Sequence, residues 1–381
     1  MLILGSLAIV LFASKGALAV GSAFGFATGT TGGAAAAPAT PTSTAQLVSW
    51  LSDGTARTIV LNRTYDFTDS QVGNFAELVS TETYEPLGLY YCNRAQALDL
   101  LSQSPARNQR QQLVTITYRN TGTSGLPVGS NKTILGKGTS GWIKGKGLQL
   151  VGSKILIVQN IRISDINHQF VWGGDAIDLK GASNIWIDHN YFNRHFDTST
   201  KVTISNNHFD GQSDYSTGCD KHHYWAFLML GKGDQITFAL NHVYYTAGRG
   251  PHIGGTSGNS QLLHMYNNYF NAISGHALDA DVGATVLAEG NYFNNVKTPS
   301  TGNANGAVFA PTSSTMADQC SSTLGRKCAL NTLAGSGSLT NTAKNGVISQ
   351  FTASVVKSAS MMDQSSVPSY VLANAGIGKV N

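Results

Sequence analysis

The sequence predicts an all-β protein, a right-handed parallel β-helix built as one solenoid domain with surface loops forming a cleft. Three observations predict it. Residues 129–296 carry short apolar or alternating runs, among them "KTILG", "ILIVQNIRI", "NIWIDHNYF", "KVTISNNHF", "QITFALNHVYY", "LLHMYNNYF" and "TVLAEGNYF", which is the pattern of short strands. Most runs end in Asn followed by an aromatic or aliphatic pair, at Asn160, Asn190, Asn207, Asn241, Asn268 and Asn291. No helical pattern separates the runs, so the repeating unit is made of strands alone.

Such units stack about 4.8 Å apart in a solenoid. Asn at equivalent corners can then stack and bond to turn backbone. A propeller is the competing architecture, but it needs four antiparallel strands per blade, and hairpin signals are too few. From Asn160 the Asn steps are 30, 17, 34, 27 and 23 residues. A coil of three strands and three turns needs about twenty residues or more. The step from Asn190 to Asn207 is therefore a turn or strand short. The longer steps hold inserts, which on such coils build the binding face.

The flanks are different in character. Leu2–Ala13 is apolar and Ala17-Leu18-Ala19 has the form of a signal cleavage site, although no Lys or Arg precedes the run. The run is too short to span a membrane, so residues 1–19 are read as a signal peptide and the mature chain as secreted; a buried N-terminal helix is the alternative. Residues 20–381 are read as one domain with core repeats at about 129–296, an atypical segment at 70–112 and a C-terminal extension at 331–381. The atypical segment, rich in Leu, Gln and Arg, reads as helix or loop. The extension is expected to wrap the surface or to be partly disordered.

Four cysteines suit two disulfides in an oxidising compartment. Cys320 and Cys328 are close in sequence, with Gly325 allowing a turn, which leaves Cys92 with Cys219. Asn62 and Asn131 begin N-x-T sequons and are candidate glycosylation sites. A net charge of +4 without a dense basic block does not suit a nucleic-acid partner. It is compatible with a neutral or moderately acidic ligand.

Four stretches could carry chemistry. In "VWGGDAIDL" Trp172 precedes a Gly-Gly turn and Asp175 follows it, capping the turn or facing a ligand. In "SDYSTGCDKHHYWAF" Tyr224 and Trp225 can serve as flat platforms for sugars on a disulfide-pinned loop; zinc is disfavoured because no HxxxH or CxxC spacing appears. In "YYTAGRGPHIGG" the glycines let a ligand approach backbone, Arg249 projects into a groove, and His252 lies three residues on. A structural ion pair is the plainer reading of Arg249. In "GHALDADVG" Asp279 and Asp281 share a strand face; they suit turn capping, and also hydrolysis or calcium binding. No GxSxG, Walker or dinucleotide motif appears, and no organic cofactor is indicated.

Together, "KGKGLQLVGSKILIVQNIRISDINHQFVWGGDAIDL", "IWIDH", "NNHFDGQSDYS", "CDKHHYWA", "YTAGRGP", "LLHMYNNYFNAISGHA" and "VLAEGNYF" resemble fungal pectin lyases, over about residues 20–70 and 120–330. The resemblance implies β-elimination of methyl-esterified α-1,4-galacturonan by a monomer with no calcium requirement. It implies that Arg249, in the matched "GRGP", is the base or the essential cation, and that Asp175, in "WGGDA", helps hold the site. Where the family often has a lysine three residues after that arginine, this chain has His252. Trp172, Tyr224, Trp225, His252 and Arg194 are expected to bind substrate. Two departures stand out. The Asn190–Asn207 coil lacks some eight residues that carry a further arginine in the family; Arg194 matches an earlier one. Residues 70–112 hold one cysteine and no tryptophan, where the family has several of each. A misread exon boundary or a degenerate paralogue would account for both. A calcium-dependent pectate lyase, a glycoside hydrolase on the same fold and an inactive pectin-binding protein are the competing readings.

Overall fold

The computed structural model describes residues 19–34, 36–68, 72–80, 111–167, 173–192, 200–216 and 218–380. Ten parallel strands form a first sheet in sequence order, from Pro38–Ala39 and Arg57–Leu61 to Ala284–Glu289 and Ala307–Phe309. A second parallel sheet stacks from Thr64–Asp66 to Thr332–Ala334. The coils therefore extend beyond 129–296 at both ends. Each coil turns its alternate residues inward. The register aligns Ile134, Val158, Ile187, Ile204, Phe238 and Met265 in one column, all fully buried. Burying side chains of this size contributes about 1.5–3 kcal/mol each, and this column repeats along the whole solenoid.

The asparagine corners form a ladder. The Asn190 backbone N–H and side-chain amide both donate to Oδ1 of Asn207, at 2.9 and 3.0 Å. The same pair of bonds links Asn207 to Asn241, Asn241 to Asn268 and Asn268 to Asn291. It continues to Asn331, which the strand pattern did not reveal. Each amide also donates to a backbone carbonyl, as Asn241 does to Ile204. These groups are buried, so leaving one unpaired would cost about 1–3 kcal/mol.

The third sheet is interrupted. Leu126–Pro127, Leu148–Val151 and Ile177–Lys180 form one piece. Leu228–Met229, His252–Ile253 and the end of Tyr269–Ala280 form the other. The coil from Asn190 to Asn207 gives Tyr191–Phe192 to the second sheet and Thr200–Ser205 to the first, and no described strand to the third. Residues 193–199 of this coil lie outside the described residues, and a notch opens between the two described pieces of the third sheet.

Val72–Ser80 and Gln111–Arg119 pair antiparallel outside the solenoid. This corrects the helix-or-loop reading at the margins of 70–112, since both arms are strands; residues 81–110 lie outside the described residues. The C-terminal extension wraps the solenoid as helices and turns, ending with the helix Val367–Asn374. Val367 and Val371 are buried against Tyr269. The helix Thr44–Ser52, capped by Ser43 accepting from the Gln46 N–H at 3.1 Å, buries Leu47 and Leu51 in the main core. Lys132 is fully buried, and its ammonium donates to the Asp53 carbonyl, the Asp53 carboxylate and the Thr55 carbonyl.

Candidate active site

The outward row of the third sheet begins with Gln149 and Asp178, breaks at the notch, and resumes as Leu228, His252 and Asp279. The notch has a volume of about 650 Å³ and is lined by Asp175, Asp178, Lys180, Thr200, Lys232 and Asp234, among others. The resumed half of the row carries the densest chemistry.

Arg249 sits on the turn entering His252–Ile253, half-buried, with φ at 48°. Its backbone N–H donates to Nε2 of His276 at 3.1 Å, and its carbonyl accepts from the Phe227 N–H at 2.8 Å. The guanidinium carbon lies 6.0 Å from the Tyr224 ring centroid. The Gly248 requirement is steric: a Cβ there would lie 2.6 Å from Cε2 of Tyr224 and 3.0 Å from Cε1 of His276. Tyr224 in turn meets His276 edge-on at 5.6 Å and Trp225 at 5.5 Å. The insert carrying these aromatics is tied to the long strand by Ser274, whose hydroxyl donates to Asp220 at 2.5 Å. Burial works against the Asp220 carboxylate. Hydrogen bonds from Ser274 and the His222 backbone outweigh it and hold its pKa below the usual value.

His252 bonds through Nδ1 to Asp279 at 2.6 Å, and Thr301 donates to the other Asp279 oxygen at 2.8 Å. The bond from His252, with Thr301 adding to it, keeps the Asp279 pKa below the carboxylate range against burial. Burial lowers the His276 pKa; Asp279 acts the other way, while His252 and Arg249 add to the lowering.

The structure thus brings together Arg249, Tyr224, Trp225 and His252 of the residues the sequence singled out. It adds His276, which stands in "GHALDADVG" without having been singled out, and Thr301, which stands in no quoted stretch; only the stacking of coils places them there. Asp175 lines the notch three coils from Arg249, about 14 Å at the usual strand spacing, and Arg249 makes its contacts to Tyr224 and His276 instead. Trp172 and Arg194 lie outside the described residues. Cys320 and Cys328 form a disulfide. Cys219 is also disulfide-bonded; its expected partner, Cys92, lies outside the described residues. Asn62 is exposed and Asn131 half-buried. Among the described residues no group of three or more His, Cys, Asp or Glu is placed to hold a metal ion, and no helix is long and apolar enough to cross a membrane.

A cleft-lining row on a parallel β-helix, with an arginine turn at its edge, defines a class of carbohydrate-active solenoids, and comparison with known proteins identifies which. The pectate lyase family pattern matches residues 115–380. The chain is 43% identical to the probable pectin lyase F-1 of Aspergillus terreus over 94% of each chain. It is 42% identical to pectin lyase B of Emericella nidulans, again over 94% of each. Among solved structures, a pectate lyase bound to hexasaccharide superposes with a TM-score of 0.62 at 18% identity, covering 97% of this chain and 100% of that one. The chain belongs to the pectate lyase family, on its pectin lyase side.

Proposed function

We propose that the chain is a secreted pectin lyase that cleaves methyl-esterified α-1,4-galacturonan by β-elimination and needs no calcium. The observation that carries this reading is the Arg249 turn. It holds a guanidinium beside Tyr224 at the cleft edge, in a chain 43% identical to a pectin lyase along nearly its full length.

In the reaction a base removes the proton at C5 of the uronate ester. Negative charge moves onto the ester carbonyl, and the C4–O bond breaks. A fixed cation facing the developing oxyanion lowers that barrier most. An esterified carboxyl carries no charge, so the substrate does not require a divalent ion to bridge it to protein carboxylates. Tyr224 and Trp225 offer sugar-stacking faces along the same edge. Val20 is pinned to the solenoid, since Gln159 exchanges two hydrogen bonds with its backbone; this supports a mature chain that starts near the expected cleavage point. Exposed Asn62 is the better placed of the two sequons for a glycan.

The short step from Asn190 to Asn207 favours a second reading, a pectin-binding paralogue without activity, because this coil has only 17 residues where a full coil needs about twenty or more. One assay separates the readings. Purified protein is given highly methylated pectin or polygalacturonate, with and without EDTA, and the unsaturated product is followed by its ultraviolet absorbance. EDTA-insensitive signal on pectin is the expected result. Signal only on polygalacturonate with calcium, new reducing ends without absorbance, or binding without turnover would each overturn it.

A further inference from the structure

We propose that the outer face of the second sheet carries a further saccharide site, built around Arg162 and separate from the cleft, that takes a neutral segment of methyl-esterified galacturonan. The choice of ligand rests on the pectin reading above; the site itself rests on the geometry that follows.

The register places Trp142, Arg162 and Tyr191 side by side on three successive coils. Their chain neighbours Ile143, Ile163 and Phe192 are buried, so these three side chains point outward. The Arg162 guanidinium carbon lies 5.0 Å from the centroid of the Trp142 ring and 5.0 Å from that of Tyr191. Cation–π attraction holds it between them. Both rings are themselves fixed. Nε1 of Trp142 donates to the Ser164 hydroxyl at 3.0 Å, and the Tyr191 hydroxyl donates to Asp210 at 2.8 Å.

Arg162 is held in place but left without an acceptor. Among the described residues its guanidinium makes no hydrogen bond or ion pair, and its Nε is buried without a partner. A guanidinium is all donor, and a buried donor left unmade is costly. Two carboxylates, Asp165 and Asp214, line the same cavity without pairing to it; Asp165 accepts from the Ser164 hydroxyl at 2.7 Å instead. The cavity has a volume of about 350 Å³ and also takes in Gln212. That volume lies within the roughly 300–1,000 Å³ of small-ligand sites.

Guanidinium donors, carboxylate and amide acceptors and aromatic walls together match a ligand rich in hydroxyls. Charge decides which one. Arg162 is the cation of the lining, and Asp165 and Asp214 are both exposed on it. Free uronates would be repelled by the two carboxylates. An esterified uronate carries no charge and offers hydroxyls to donors and acceptors alike.

The cavity and the cleft flank one insert. Gln212 and Asp214 at its start line the cavity, and Tyr224 further along it meets Arg249. A long pectin chain held at Arg162 therefore stays close to the cleft, which raises its effective concentration there.

The test uses the full chain carrying Arg249→Ala, so that turnover does not consume the ligand. It is titrated in a calorimeter with a methyl-esterified galacturonan hexasaccharide and with the free-acid hexasaccharide. The esterified ligand should show two binding events. Adding Arg162→Gln or Asp214→Ala should weaken one of them about tenfold or more and leave the other unchanged. Asp214 is exposed, so its replacement keeps the test open should Arg162→Gln lower the melting temperature. Asp214→Lys should admit the free-acid ligand to the same site. With Arg249 intact, Arg162→Gln should raise KM for polymeric pectin about threefold or more, with kcat on the hexasaccharide unchanged. A single binding event, two events that both survive Arg162→Gln and Asp214→Ala, or a free acid that binds this site more tightly than the ester would overturn the proposal. Two events in a chain whose wild type shows no turnover would uphold this site and overturn the lyase reading alone.

Discussion

The backbone N–H of Arg249 donates to Nε2 of His276, at 3.1 Å, across two neighbouring coils. A backbone amide can only donate, so Nε2 of His276 must hold a lone pair. Burial favours that neutral state by lowering the His276 pKa, and His252 and Arg249 add to it. The bond fixes the left-handed turn on which the guanidinium is presented. Protonating His276 removes the acceptor. The folded-state pKa lies below the ordinary histidine value of 6.5, so the bond is intact above that pH and is lost as pH falls through the lower folded value. His276 should titrate below 6.5 by NMR, and His276→Phe should lower kcat/KM by about tenfold while costing about 1–3 kcal/mol of stability for the orphaned N–H. A His276 that titrates above 6.5 contradicts this account.

Arg249 itself separates chemistry from folding. It is half-buried and makes no salt bridge among the described residues, so truncation removes no ion pair seen there. Arg249→Ala should reduce kcat by about 100-fold or more, as loss of an oxyanion stabiliser does, with unfolding free energy changed by less than about 1 kcal/mol. Arg249→Lys should recover part of the rate, since charge remains but the planar fork is gone. Steady-state kinetics with parallel denaturant melts would decide. Full activity in Arg249→Ala removes this residue from the mechanism.

Gly248 tests the packing behind the turn. An added Cβ meets Tyr224 at 2.6 Å, well inside contact distance, so Gly248→Ala must displace the ring or the turn. Activity should fall while the solenoid stays folded, because neither group belongs to the main core. The double variant Gly248→Ala with Tyr224→Ala should tolerate the methyl better than the single one. Equal loss in both would show that Tyr224 is not the obstacle.

Much of this was legible in the sequence because a solenoid repeats. Asn190 through Asn291 marked the corners, and the 17-residue step falls where the two described pieces of the third sheet part. Asn331 escaped because forty residues, including the helices Ser314–Asp318 and Ser321–Leu324, separate it from Asn291. The strands at the margins of 70–112 escaped because they pair outside the solenoid and lack its asparagine-ended repeat. Arg249 and His252 stood in a readable motif. His276, although it stands in "GHALDADVG", and Thr301 had no readable link to them, since residues 27 and 49 positions away from Arg249 and His252 become neighbours only when coils stack. Asp175 illustrates the reverse: its motif was plain, but linear sequence gave no measure of how many coils lie between it and Arg249.

Glu289 anchors the C-terminal extension through Arg326, which also donates to the Val356 carbonyl at 3.2 Å. It is fully buried and accepts two bonds from Arg326, at 2.7 and 2.8 Å, and one from His264 at 2.8 Å. Burial opposes its charge, but Arg326 and His264 overcome this and hold its pKa at about 2. A depressed carboxylate stabilises above its unfolded value of 4.5 and loses that contribution as pH falls toward about 2. Glu289→Gln should cost about 3–5 kcal/mol, because Arg326 is left facing a buried neutral group. It should also flatten the pH dependence of melting between pH 4.5 and 2. A variant as stable as wild type at pH 7 refutes the anchoring role.

His242 governs how the tail behaves in mild acid. Its ring lies 4.7 Å from that of His208 and stacks at 5.3 Å on Tyr269, which the C-terminal helix covers. The tail continues over His208, where Gly376 fits because a Cβ would come within 3.2 Å of the His208 Cβ, and the Gly376 N–H donates to the Asn206 carbonyl at 2.8 Å. Nε2 of both histidines is buried without a partner among the described residues. Burial, reinforced by His208, pushes the His242 pKa down to about 3. The unfolded or detached state therefore takes up the proton first as pH falls below 6.5, and the folded state is penalised progressively until pH reaches about 3. Stability is full above 6.5 and declines below it, the direction expected of a histidine buried neutral. Limited proteolysis at the C-terminus should run faster at pH 4 than at pH 7 in wild type. In His242→Phe, which keeps the stack and removes the titrating group, the two rates should converge. If the acid sensitivity of the tail survives in His242→Phe and also in His208→Phe, the histidine pair is not its cause.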